Sequence, residues 1–117
     1  MTGNDIFETA IMLLGYTDSS RKFQDSSKLK ERALCAINQI ARDLGVCATA
    51  ESLFDEIAFN DMQSSAAPYG VAMLLSLIDG DSDKNTMFSS IYNAKRAAAK
   101  NETGSVRDVL PKGGETL

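Results

Sequence analysis

Residues 66–78 have the sequence Ala-Ala-Pro-Tyr-Gly-Val-Ala-Met-Leu-Leu-Ser-Leu-Ile, and from Val71 to Ile78 the single polar side chain is Ser76. Alanine, methionine and leucine favour helix and β-branched residues are sparse here, so the stretch predicts a helix rather than a strand. A helix that is apolar nearly all round must be buried among other elements. We therefore expect this helix to lie at the centre of the fold.

The sequence allows two alternative starting points for the central helix. Asn60 or Asp61 can cap a helix that continues through Pro68, where the missing backbone N–H would bend the axis. Alternatively, the helix begins at Ala67, next to the proline. Gly70 lowers helix propensity but allows another backbone to come close to this helix.

Three further segments carry apolar residues at the three- and four-residue steps of a helix. The first is predicted from a Thr2 or Asn4 cap to Gly15, the second over about 28–44, and the last over about 81–100. Their apolar positions are, in order, Ile6, Phe7, Ala10, Ile11, Leu13 and Leu14; Leu29, Leu34, Ile37, Ile40, Ala41 and Leu44; and Met87, Phe88, Ile91, Tyr92 and Ala98.

The predicted fold class is therefore all-α, a small bundle of four main helices in one domain over residues 1–100. From Asn101 the chain becomes polar and glycine-bearing, which predicts an extended, flexible C-terminal tail over residues 101–117.

Residues 46–60 join the second helix to the central one, and they predict either a fifth, short helix or a loop with at most one helical turn. The apolar side chains expected to lie over the core from this segment are Leu53, Phe54, Ile57 and Phe59. Asn38, beside the apolar face of the second helix, is expected to hydrogen-bond a neighbouring loop. A catalytic role is disfavoured because no acid or base accompanies it.

Composition argues against several classes of function. The chain has 117 residues with 12 basic and 16 acidic side chains, and a net charge of -4 does not suit a protein that coats DNA phosphates. The absence of histidine removes the commonest general base and the commonest zinc ligand, so no enzymatic activity, metal or cofactor is expected. No apolar run approaches the roughly 20 residues that cross a bilayer, and Cys35 and Cys47 are expected to be reduced thiols of a cytoplasmic chain.

Two clusters of acidic residues are candidate metal sites. Asp79-Gly-Asp81-Ser-Asp83 resembles the start of a calcium loop, but the positions that need glycine and glutamate are Lys84 and Ser90, so a helix cap is the favoured interpretation. A metal-dependent enzyme would have to use Glu51, Asp55 and Asp61, without a histidine to complete the site.

One stretch in each predicted helix belongs to a common pattern of packing motifs. These stretches are Leu13-Leu-Gly-Tyr16, Ala36-Ile-Asn-Gln-Ile-Ala-Arg-Asp-Leu44, Ala67-Pro-Tyr-Gly-Val-Ala-Met-Leu-Leu75 and Ile91-Tyr-Asn-Ala-Lys-Arg96. Together they resemble the small head-tail connector proteins of tailed phages, also called adaptor or head-completion proteins. The resemblance extends over most of Ile6 to Arg96.

The resemblance implies a structural subunit of a phage or prophage that assembles into a ring below the portal protein, around the DNA channel. Its implied partners are copies of itself, the portal protein, and tail or stopper proteins; a membrane and sequence-specific nucleic acid are not among them. The implied location is the virion, and the host cytoplasm during assembly. The family has no catalytic residues to transfer to this chain.

The C-terminal segment is similar to the extended arms of that class, and four of its residues are candidates for partner contact: Val106, Val109, Leu110 and Pro111. The alternative is a tail that is merely disordered. An alternative function is a small helical DNA-binding or adaptor protein that uses the basic second helix, with Lys28, Lys30 and Arg32.

Overall fold

Four α-helices make up the described part of the chain, and the computed structural model describes residues 1–15, 27–46 and 50–108. In chain order they are α1 (Gly3–Leu13), α2 (Ser27–Asp43), α3 (Asp61–Asp79) and α4 (Ser82–Asp108). The predicted all-α fold class is confirmed. Among the described residues, no helix is long and apolar enough to cross a bilayer.

Helix α3 is the central element, since it packs against each of the other three helices. Its start is fixed by a reciprocal cap: the Asn60 side chain accepts a hydrogen bond from Gln63 N at 2.8 Å, and the Gln63 side chain accepts one from Asn60 N at 2.9 Å. The helix therefore begins at Asp61 and continues through Pro68, so the alternative start at Ala67 is wrong. The helix ends at Asp79 and is capped by Gly80, whose φ of 76° is left-handed.

Helix α3 is not buried all round. Val71 is fully buried, but Met73 and Leu74 in the middle of the helix are only partly buried. Leu77 and Ile78 in its last turn are 63% and 48% exposed. The expectation of burial all round is therefore wrong.

Gly70 lies where α2 and α4 both meet α3. A β-carbon built there would lie 2.7 Å from Ile40 Cδ1 and 2.8 Å from Tyr92 Cε1, closer than packed carbon atoms approach one another. The close approach expected at Gly70 is thus found, but it is made by two side chains rather than by a backbone.

Asn38 holds the loop that follows α2. Its amide nitrogen donates to the carbonyl of Ala50 at 2.9 Å, and its amide oxygen accepts from the N–H of Ala50 at 2.8 Å. The predicted hydrogen bond to a neighbouring loop is confirmed.

The described residues 50–60 contain no helix, so no fifth helix forms among them. Ile57 is buried and Leu53 and Phe59 pack against the core, but Phe54 is 83% exposed. The expectation that Phe54 covers the core is therefore wrong. Backbone hydrogen bonds tie this loop to the start of α1, where Gly3 N and Asn4 N donate to the carbonyls of Asp55 and Leu53. These bonds fix the backbone on both sides of Phe54, so its side chain cannot turn inward.

Helix α4 starts from an aspartate cap, because the Asp81 carboxylate accepts from Lys84 N at 3.1 Å. The predicted helix cap within residues 79–83 is confirmed.

Helix α4 continues past Lys100 to Asp108, into the segment for which the sequence predicted a tail. The alanines before Lys100 are strong helix formers, and one glycine at position 104 costs only about 1 kcal/mol. Ala99, rather than Ala98, is the buried alanine near Lys100.

Substituting Asn38 by alanine should lower the free energy of unfolding by about 1–3 kcal/mol, because it leaves the N–H and C=O of the buried Ala50 without these bonds. Urea denaturation measures the loss. Gln39→Ala, an exposed neighbour on the same helix, is the matched control and should cost far less. Equal losses in the two variants would contradict the assigned role of Asn38.

Substituting Gly70 by alanine should destabilise the protein, because overpacking costs about 1–3 kcal/mol and exceeds the gain of about 1 kcal/mol in helix propensity. Adding Ile40→Val removes the Cδ1 atom that the new methyl group meets. The two substitutions together should then cost less than the sum of their separate effects in urea denaturation. Simple additivity would show that the space at Gly70 is not limiting.

Candidate functional site

A groove opens between α2 and α4, with α3 as its floor; we call it the α2–α4 groove. Its volume is about 600 Å³, and its apolar lining comes from Ile40, Met73, Leu74 and Tyr92. Its polar lining consists of Gln39, Arg42, Asp43, Asn93 and Arg96. The groove therefore combines an apolar floor with polar and charged margins, which is the usual composition of a binding site.

Asp43 joins the two walls of the groove. One carboxylate oxygen, Oδ2, accepts a hydrogen bond from the Tyr92 hydroxyl and another from Arg96 Nε, both at 2.6 Å. Tyr92 and Arg96 are four residues apart, so they lie on the same face of α4 and reach the same carboxylate. We call this arrangement the Asp43 clasp.

The clasp fixes the protonation states of its members. Burial opposes ionisation of Asp43, but hydrogen bonds from Tyr92 and Arg96 outweigh it and lower the pKa of the carboxyl. Burial and the neighbouring carboxylate raise the pKa of Tyr92, so its hydroxyl stays protonated. A carboxylate held ionised and a phenol held neutral are poorly suited to proton transfer near neutral pH. The arrangement instead ties α2 to α4 through side-chain hydrogen bonds.

The charge at the groove margin is positive on balance. Arg42 and Arg96 line the groove against the single carboxylate of Asp43. Lys100, one turn beyond Arg96, is close enough to contribute to the lowered pKa of Asp43. The margin thus carries two cations and one anion, with a third cation nearby, although the whole chain is acidic.

The loop around Phe54 is a second exposed feature, and its backbone is fixed by several hydrogen bonds. Asp55 Oδ2 accepts from Glu51 N at 2.7 Å and from Ser52 N at 3.1 Å, and the Ser52 hydroxyl accepts from Phe54 N at 3.2 Å. Phe54 is thus presented to solvent on a rigid turn. Acidic side chains surround it, since Glu51, Asp55 and Glu56 are all exposed.

The residues predicted as sites fall in different places. Val106 belongs to α4, but its side chain lies outside the described part. Val109, Leu110 and Pro111 lie outside the described residues. Asp55 shapes its own loop. Within residues 1–15, 27–46 and 50–108, no group of three His, Cys, Asp or Glu side chains is placed to hold a metal ion. Cys35 is an exposed free thiol, and Cys47 lies outside the described part.

Sequence reasoning missed both the Asp43 clasp and the exposure of Phe54. Asp43 is not one of the apolar positions that predict the buried face of α2, and the clasp depends on contacts 49 and 53 residues away along the chain. The spacing of Tyr92 and Arg96 was a usable signal for a shared partner, but it did not identify Asp43.

Comparison with known proteins adds no family to this description, since no family model, no curated protein and no solved structure matches the chain. The resemblance to head-tail connectors therefore stays a prediction from the packing motifs.

Removing the charge of Asp43 by Asp43→Asn should lower the free energy of unfolding by about 1 kcal/mol at pH 7, a value reduced for the partial solvent exposure of the pair. Because the folded state lowers the pKa of Asp43, its stabilisation is present above the unfolded pKa of about 3.9 and is lost as pH falls through the folded value. The difference from wild type should therefore shrink at acid pH in urea titrations.

Glu31→Gln removes an exposed carboxylate from the same helix and serves as the control for Asp43→Asn. It should change stability little at either pH. A loss for Asp43→Asn that is the same at pH 7 and at acid pH would contradict a lowered pKa.

Proposed function

We propose that this chain is a head-tail connector (adaptor) subunit of a tailed phage or prophage. In this role it assembles with copies of itself into a ring between the portal protein and the tail or stopper proteins, around the DNA channel, and is located in the virion. The packing motifs of all four helices suggested this function. The structure supports it through one observation above all: large apolar side chains are exposed on rigid elements.

The exposed apolar residues are Met12, Phe54, Leu77, Ile78 and Met87, each 48% exposed or more. Leu77 and Ile78 belong to the central helix, and Phe54 to a turn fixed by hydrogen bonds. An aromatic side chain held rigidly in solvent loses little conformational entropy when a partner covers it. Such residues suit a protein that works by association with other subunits.

Charge supports the same function. The acidic turn around Phe54 and the cationic margin of the α2–α4 groove lie on the same chain. Complementary surfaces of this kind attract one another between copies and set their orientation. A contact between two different surfaces of one chain is a head-to-tail contact, which closes into a ring when the rotation between copies fits.

The proposal predicts that the purified full-length chain forms one closed multi-subunit species as its concentration is raised. Light scattering after gel filtration, over a wide concentration range, measures the mass directly. The expected result is a single large mass, without a continuous series of growing species, because a closed ring has no free ends.

A chain that stays monomeric at every concentration would overturn self-assembly into a ring. Titration with duplex DNA would then test the alternative function through the exposed Lys28, Lys30 and Arg32 of α2. Binding that weakens steeply with salt, and on neutralising these three residues, would support the DNA-binding alternative.

A further inference from the structure

We infer that the Phe54 turn of one copy binds in the α2–α4 groove of the next copy, and that this is the contact through which the subunits join. The inference rests on the proposed function, since it takes the second copy from the ring. It goes further by naming the two surfaces and the side chain that anchors them.

The floor of the groove is apolar and continues beyond the groove itself. Met73 and Leu74 line the floor. Leu77 lies four residues after Met73 and three after Leu74, so Leu77 extends the same face of α3. Leu77 is 63% exposed. The apolar surface of the floor thus continues along α3 to an uncovered side chain beyond the groove lining.

Phe54 has the properties of an anchor for such a groove. It is 83% exposed, the largest exposed fraction among the large apolar side chains described, and its backbone is held by the Ser52 hydroxyl. Aromatic anchors that fill a pocket account for much of the binding energy at protein interfaces. A groove volume of about 600 Å³ accommodates an aromatic ring together with part of its turn.

The charges beside the two surfaces are opposite. Glu51 and Asp55 flank Phe54, and both are exposed. Arg42 and Arg96 border the groove, with Lys100 nearby. An acidic turn bound between cationic margins would therefore place unlike charges opposite each other, while two grooves or two turns would place like charges together. Charge selects the turn-to-groove pairing over either symmetric pairing.

The two surfaces are separate on one subunit. Backbone hydrogen bonds from Gly3 N and Asn4 N tie the Phe54 turn to the start of α1, whereas the groove is lined by α2, α3 and α4. No residue of the turn lines the groove of its own chain. Each copy can therefore offer its turn to one neighbour and its groove to another.

The test uses two full-length variants with one matched control. Phe54→Ser removes the anchor, Leu77→Ser removes the uncovered end of the floor, and Met12→Ser changes a residue that is 69% exposed on the outer face of α1. All three positions are exposed, so thermal melting should match wild type. Mass is measured against concentration for each chain.

Phe54→Ser and Leu77→Ser should each raise the concentration needed for assembly by about tenfold or more, while Met12→Ser should assemble as wild type does. Mixed in equal amounts, the two defective chains should form a species of twice the 12.6 kDa chain mass and no larger one. One chain still has an intact groove and the other an intact turn, so a single contact forms. Arg42→Glu gives a second groove variant, with the same expected loss through charge repulsion.

Each other outcome overturns the pairing. If wild type assembles and both serine variants do so at the same concentration, the ring survives and the turn-to-groove contact is wrong. Loss in one variant alone, or a mixture that stays monomeric, also excludes this pairing. A wild-type chain that is monomeric at every concentration overturns the proposed ring together with the contact.

Discussion

The space left by the missing side chain at Gly70 is the constraint on which the rest of the fold depends. Ile40 and Tyr92 both occupy it, so α2 and α4 approach the same point on α3. That approach brings the Tyr92 hydroxyl within 2.6 Å of Asp43 on α2. The groove exists because the two outer helices are joined near Gly70 and leave the later residues of α3 partly uncovered.

Local chemistry explains why the helices were largely predictable. The reciprocal cap of Asn60 and Gln63, the left-handed glycines at 15 and 80, and the aspartate cap at Asp81 are formed by residues close together in sequence. Such short-range bonds depend little on the remainder of the fold. Asn38 was predictable for a related reason: an amide beside an apolar face must find a partner in its surroundings.

The exposed surfaces were not predictable in this way, because periodicity shows which face of a helix is apolar but not where its neighbours stop. Leu77 and Ile78 continue the apolar pattern of α3, but they lie on a side of the helix that no described element covers, although Leu75 and Ser76 beside them are buried. Phe54 is similar: the pattern marks it as apolar, yet the hydrogen bonds of its turn hold it in solvent. The candidate site is thus composed of residues whose sequence pattern predicts burial and whose positions in the fold prevent it.

The length of α4 has a mechanical consequence. Arg96, the last member of the clasp, is twelve residues before Asp108, so about 18 Å of helix extends beyond it. This segment acts as a lever arm. A rotation of about 10° at the clasp would displace its end by about 3 Å, as much as the length of a hydrogen bond. The short bonds to Asp43, together with the packing of α4 on α3, therefore determine how accurately the chain positions the far end of α4.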